Sequence, residues 1–218
     1  MAAYGWAGGA AAEAARTADG QTIACRNGTI ARTGSALISC TLERNQAIRL
    51  TTGARVPCRA AMPIRFDEAG VLTTCWLSDQ TQFAAARAGT LACWGTEQVT
   101  FDPRGALIQC HLAHDQTLAT ASAVRARCLA RREVRIAPDG ALLGCTLAQT
   151  LSVSTPSGAM PCQASGHIAF DPATGALREC VLAEARRLRD FRGVVLACRA
   201  GGNVYFDAST GAFATCNL

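Results

Sequence analysis

The residues best equipped for chemistry in this 218-residue chain are its twelve cysteines: Cys25, Cys40, Cys58, Cys75, Cys93, Cys110, Cys128, Cys145, Cys162, Cys180, Cys198 and Cys216. They recur at steps of 15 to 18 residues. Thiols spaced in this way have three uses: disulfide crosslinks, a column of reduced buried side chains, or a thiolate store for metal or redox work. Metal sites draw on close Cys-x2-4-Cys pairs, whereas even spacing spreads the sulfurs along the molecule. An even count at a regular step favours a disulfide framework over buried thiols, and a metal or redox protein comes last.

Other candidate chemistry is sparse. His111, His114 and His167 are too few for a repeated motif, and the pair beside Cys110 and Asp115 reads as polar positions at a strand end. No nucleophile-elbow, zincin, phosphate-loop or dinucleotide fingerprint occurs. Asp67, Asp102, Asp171 and Asp207 recur in turns, but calcium wants about six to eight oxygens and each turn offers one or two carboxylates, so capping of the turn explains them better. No catalytic, metal or cofactor residue is assigned. All 21 basic residues are arginine, and the net charge is only +5. They concentrate in two groups, Arg125, Arg127, Arg131, Arg132 and Arg135, then Arg186, Arg187, Arg189, Arg192 and Arg199. A solvated basic face is the plain reading. A shared edge for an acidic protein, a lipid headgroup or a glycan phosphate is the functional one. Aromatic interleaving of the nucleic-acid kind is missing. Trp76 and Trp94 stand beside cysteines on the face opposite the core and complete the candidate binding surface.

The elements that must hold these residues follow from the repeat. FDEAGVLTTCWL (66–77), FDPRGALIQCHL (101–112), IAPDGALLGCTL (136–147), FDPATGALRECVL (170–182) and FDASTGAFATCNL (206–218) are near-copies, and IARTGSALISCTL (30–42) is a degenerate first. The period is about 35 residues, two cysteine steps. Asp102, Pro103 and Gly105 suit a type I turn closed by a bulge, so each copy contributes a β-hairpin. On the flanks, Val56, Cys58, Ile64 and Phe66 share one parity, and Cys-x-Leu recurs after every turn. Equal parity on a pleated strand means one face, so the sulfurs point inward. The leucine of Gly-x-Leu-x-x-Cys has the opposite parity to its cysteine, which predicts a bulge between them. The connectors 43–55, 78–90, 113–126, 148–160 and 183–195 read as an extra strand and turn or a short helical turn, the fourth extended and the fifth helical.

The expected fold is all-β: six hairpin repeats in an antiparallel meander or solenoid-like array over 22–218, with a six-bladed propeller as the alternative. Residues 1–21 read as a disordered Ala/Gly-rich leader without the usual export signal. No run reaches the ~18 apolar residues a spanning helix needs. If the tight turn sets the register, the cysteines bridge across the connectors, 40–58, 75–93, 110–128, 145–162 and 180–198. The competing scheme, 25–40, 58–75 and onward, pairs all twelve.

The Phe-Asp-x-x-Gly-x-Leu-x-x-Cys-x-Leu run, each with a cysteine-bearing strand before it, resembles the hairpin repeats of bacterial MORN-like proteins across most of the chain. That resemblance implies a binding or scaffold protein and brings no catalytic residues; the cysteines and long connectors depart from it. The reading is therefore a non-enzymatic, exported scaffold, periplasmic or extracellular, presenting an extended surface to a protein or glycan. An enzyme sited on the connectors, a thiol-based metal or redox protein, and a cytoplasmic location are the alternatives.

Overall fold

Each unit of about 35 residues folds into two hairpins, because the connectors carry the same period-two pattern as the segments they join. The computed structural model describes residues 12–217. Six hairpins, Ala31–Thr33 with Ala36–Thr41, Pro63–Phe66 with Leu72–Trp76, Gln98–Phe101 with Leu107–His111, Glu133–Ile136 with Leu142–Thr146, His167–Phe170 with Leu177–Val181 and Asn203–Phe206 with Phe213–Cys216, join edge to edge in one open twelve-stranded antiparallel meander. These are the sheet hairpins. The other six are covering hairpins, each a separate two-stranded ribbon: Ala12–Arg16 with Thr22–Arg26, Gln46–Arg49 with Arg55–Cys58, Thr81–Ala85 with Gly89–Cys93, Gln116–Ala119 with Arg125–Cys128, Leu151–Thr155 with Gly158–Cys162 and Arg186–Arg189 with Val195–Cys198.

The continuous meander corrects the propeller alternative. The fifth connector is corrected too: Arg186–Arg189 is a strand, with Leu188 buried between exposed Arg187 and Arg189, a period of two rather than 3.6. Residues 12–16, assigned above to the leader, pair with Thr22–Arg26 and bury Ala15. The repeat domain thus starts inside that segment, while residues 1–11 lie outside the described residues.

The core lies between the two layers. Val56, Leu91 and Met160 of covering hairpins and Ile64, Val99, Val134 and Ile168 of the sheet are sealed from solvent, along with the cysteines. The expected bulge is present: Thr100 faces Gln109 while Phe101 faces Leu107, leaving Ile108 over, and the same shift recurs in the other sheet hairpins. It turns Leu72, Leu107, Leu142 and Leu177 inward to join the cysteine face.

Six disulfides bind the layers: Cys25–Cys40, Cys58–Cys75, Cys93–Cys110, Cys128–Cys145, Cys162–Cys180 and Cys198–Cys216, with Cα separations of 5.7–5.8 Å. This corrects the cross-connector register. Cys58 and Cys75 belong to different hairpins, and the chain passes from cover to sheet in a tight turn after each covering cysteine. The third residue of that turn is left-handed in every unit: Gly28, Ala61, Thr96, Arg131, Ser165 and Gly201 all have positive φ. The turn returns the chain beside the preceding sheet strand, so that Cys58 forms a β-bridge with Leu77 and its sulfur meets Cys75.

Covering hairpins do not share a ladder. Side chains stand in for one: Gln46 accepts the Ala24 N–H (3.0 Å) through Oε1 and donates to Thr22 O (2.7 Å) through Nε2, and Gln116 does the same with Ala92 N and Thr90 O. Each of the first five covering tips also rests on the sheet turn of the following unit. Thr51 Oγ1 donates to Arg104 O (2.6 Å), Ala88 N to Gly140 O (2.7 Å) and Ser122 Oγ to Gly175 O (2.9 Å).

The turn aspartates act within their own turns. Asp102 Oδ1 accepts the N–H groups of Arg104 and Ala106, and Asp171 Oδ1 those of Ala173 and Thr174. Asp207 is held most strongly. The Ser209 hydroxyl, then the Thr210 N–H and hydroxyl, bring its carboxyl from the ordinary 3.8 to about 2. A depressed carboxylate pKa contributes stability that is complete above the unfolded value and disappears as pH falls through the folded one. Asp207→Ala is therefore expected to lower the melting temperature at neutral pH, with the gap to wild type closing between about pH 4 and pH 2. A gap unchanged across that window would show that the carboxylate charge is not what holds the turn.

Candidate binding surface

The register of the meander builds a surface from residues far apart in sequence. On the solvent side of the sheet, cross-strand partners run continuously: Arg65 faces Thr74, Thr74 faces Thr100, Thr100 faces Gln109, and Gln109 faces Arg135. The row continues from Arg135 to Gly144, Ala169, Glu179 and Tyr205. A parallel row places Trp76 opposite Gln98, His111 opposite Glu133, and Thr146 opposite His167.

Two concavities form on this face. The larger, about 520 Å³, is lined by Arg135, Ala169, Arg178, Glu179, Tyr205 and neighbours. Ala169 is a short side chain among the longer ones around it. Its cross-strand partner Gly144 is obligatory, since a Cβ would come within 2.8 Å of Ile168 O. The smaller, about 240 Å³, lies against Trp76, with Arg65, Thr74 and Gln98 around it. The lining pairs flat aromatic surface with guanidinium, carboxylate and amide groups, a set that can stack against and hydrogen-bond a polar chain laid across the strands. Asn203 Nδ2 donates to Tyr205 Oη (3.2 Å) and orients the phenol.

A third cavity, about 560 Å³, opens between the second and third covering hairpins and the turns beneath them. Leu50, Phe83, Ala85 and Leu107 line it, and its carboxylate, Asp139, is taken by Arg87 at 3.1 Å. It is a gap left by alanines at a hairpin tip, with few polar groups converging on it.

The sequence-selected basic residues do not share one edge. Arg125 and Arg127 lie on the outer face of the fourth covering hairpin, where Arg127 meets Asp115 at 3.5 Å. Arg186 and Arg187 lie on the sixth hairpin, beyond the fifth, whose outer positions are Ser152, Ser154 and Ala159. Arg186 pairs with Glu184 (2.7 Å), and Arg192 with Asp190 (3.2 Å). Arg189 donates to Gly193 O. Arg131 lies in a crossing turn with its guanidinium 4.4 Å from the ring centre of Trp94, and Arg132 follows it in that turn. Trp94 is therefore not the strand neighbour of Trp76: the latter faces the solvent side of the sheet, the former caps the end where the layers meet. Arg178, Glu179 and Tyr205 carried no motif. Glu179 has the parity opposite to Cys180, whereas Arg178 shares that of Cys180 and reaches the solvated face through the bulge; only the register brings both beside Arg135.

His111 Nδ1 is buried without a hydrogen-bond partner, 4.0 Å from Glu97. Among the described residues no group of three or more His, Cys, Asp or Glu side chains converges as a metal site would require, and no cysteine is free. A disulfide in every unit is the pattern of proteins that mature in an oxidising compartment. No helix among the described residues is long and apolar enough to cross a membrane. No family model, curated protein sequence or solved structure matches this chain.

Proposed function

We propose that this disulfide-braced β-repeat protein works outside the reducing cytoplasm, in the periplasm or extracellular space, as a scaffold whose sheet face binds an elongated polar ligand, a glycan chain or an extended protein segment. The observation that carries the reading is the unbroken row from Arg65 to Tyr205 with its aromatic-lined concavities. Repeat arrays suit such ligands because their exposed face is long and chemically periodic. The kinship with MORN-like hairpin arrays proposed from the turn motif points the same way. A binding role is favoured over a catalytic one by the lining itself, which offers Glu179 beside two arginines and no nucleophile with an adjacent base.

A glycan array together with an extracellular-proteome pull-down tests this. Arg135→Ala/Tyr205→Ala is expected to lose any ligand the native protein retains, by tenfold or more, since an aromatic platform is worth about 0.5–1.5 kcal/mol and a hydrogen bond to a charged group about 1.5–3 kcal/mol. Arg125→Ala/Arg127→Ala, on the opposite layer, is expected to keep it. Retention by the sheet-face variant and loss by the cover-face variant would reverse the assignment.

A further inference from the structure

We propose that the tip of the sixth covering hairpin is a peripheral membrane contact, in which Phe191, Val194 and Val195 enter the headgroup region of an anionic bilayer and the arginines around them meet lipid phosphates. The three are the exposed large hydrophobic residues of the described chain, at 76%, 49% and 50% exposure.

Their position explains why they are informative. Residue 191 follows five equivalents at the same place in earlier tips: Ala18, Thr51, Ala86, Ala121 and Pro156. Four of the five, Ala18, Thr51, Ala86 and Pro156, are exposed like residue 191, and none of the five puts a large apolar side chain in water, while the next unit's turn lies close against the tip itself. A Cβ on Gly105 would come within 2.6 Å of Thr51 Oγ1, one on Gly140 within 2.3 Å of Ala86 N, and one on Gly175 within 3.0 Å of Ala121 C. At the sixth tip, by contrast, the chain places a phenylalanine and two valines in water. Two of the equivalents of Val195 are arginine, Arg55 and Arg125.

The charges identify the partner. Residues 183–200 hold five arginines and two carboxylates, net +3 out of +5 for the whole chain. One of the carboxylates, Asp190, is turned into the tip. Burial opposes its ionisation, but the Val194 N–H and Arg192 outweigh that and hold its pKa below the ordinary value. Arg189 lies directly across the ribbon from Val195, Arg187 is the next outward residue along the strand, and the Arg192 guanidinium is 5.5 Å from the Phe191 ring. Apolar side chains at a protruding tip, ringed by long cationic ones, match an interface that is hydrocarbon below and phosphate above. A second copy of this tip would bring the arginines against their like, which disfavours self-association.

Co-sedimentation of the oxidised full chain with vesicles decides the matter. The protein is expected to partition onto phosphatidylcholine vesicles doped with phosphatidylglycerol, weakly or not at all onto phosphatidylcholine alone, and less as salt is raised. Phe191→Ser is expected to weaken partitioning about tenfold, and Arg187→Gln/Arg189→Gln by a similar or larger factor. Both changes are on exposed side chains, and circular dichroism with a free-thiol count verifies folding. Arg135→Ala/Tyr205→Ala on the sheet face should bind vesicles as the native protein does, which separates this proposal from the sheet-face reading. Partitioning that ignores lipid charge, or is unaffected by Phe191→Ser, overturns it. So does a Phe191-dependent dimer in analytical ultracentrifugation without vesicle binding.

Discussion

Replacing Cys93 and Cys110 together by alanine is expected to lower the unfolding free energy by about 3 kcal/mol or more. A sequence separation of 17 closes a loop worth roughly 3 kcal/mol of chain entropy in the unfolded state, and both sulfurs are buried, so a cavity adds to the loss. The six loops run 25–40, 58–75, 93–110, 128–145, 162–180 and 198–216 without overlapping, so their contributions add. Together they reach about 18 kcal/mol, more than the 5–15 kcal/mol by which ordinary domains are stable. Full reduction and alkylation should therefore abolish the native circular-dichroism spectrum, and the single-pair variant should show a lowered denaturant midpoint. Because each unit touches only its neighbours, loss in the third unit should also broaden the transition. Peptide mapping without reductant is expected to yield Cys93 joined to Cys110; Cys75 joined to Cys93 would refute the two-layer crossing. A reduced chain with native circular dichroism would show that apolar burial alone carries the fold.

Gly140→Ala should be among the most damaging substitutions of a single atom group in the turns. Gly140 sits at φ +81°, where a Cβ costs about 1–2 kcal/mol by itself. The added carbon would also stand 2.3 Å from Ala86 N and 3.0 Å from Ala85 C, backbone atoms of the covering tip that can yield only by lifting the hairpin. Lifting it breaks the Ala88 N to Gly140 O bond and opens the buried side of Phe83. The expected loss is about 3–4 kcal/mol. Gly53→Ala provides the control, because Gly53 has a similar φ of +84° with nothing within 4 Å. That variant should lose only the conformational part. Equal midpoints for the two in guanidinium denaturation would mean that the tip-on-turn contact contributes nothing.

These two expectations rest on different kinds of information. That the sulfurs point inward was legible in the chain, because parity along a strand is a local property: Cys58 two residues from Val56, Cys75 two from Leu77. So was the bulge, since Leu107 and Cys110 cannot share a face without one. The candidate surface was less accessible. Arg178, Glu179 and Tyr205 are unremarkable in sequence, and only a register summed over several strands places them beside Arg135. The arginine groups that did attract attention in the sequence are dispersed, since residues adjacent in the chain alternate between opposite faces or fall in turns.

By itself the sequence determined the period, the all-β character, the turn chemistry and the buried side of each strand, since these depend on residues within a few positions of one another. The tertiary structure alone decided that the connectors form a second layer, which sulfur meets which, and which tip holds exposed apolar side chains. The crossing between layers turns on left-handed residues such as Ala61, Thr96 and Arg131, types that carry no turn signal and adopt that conformation because both layers, once packed, hold them there.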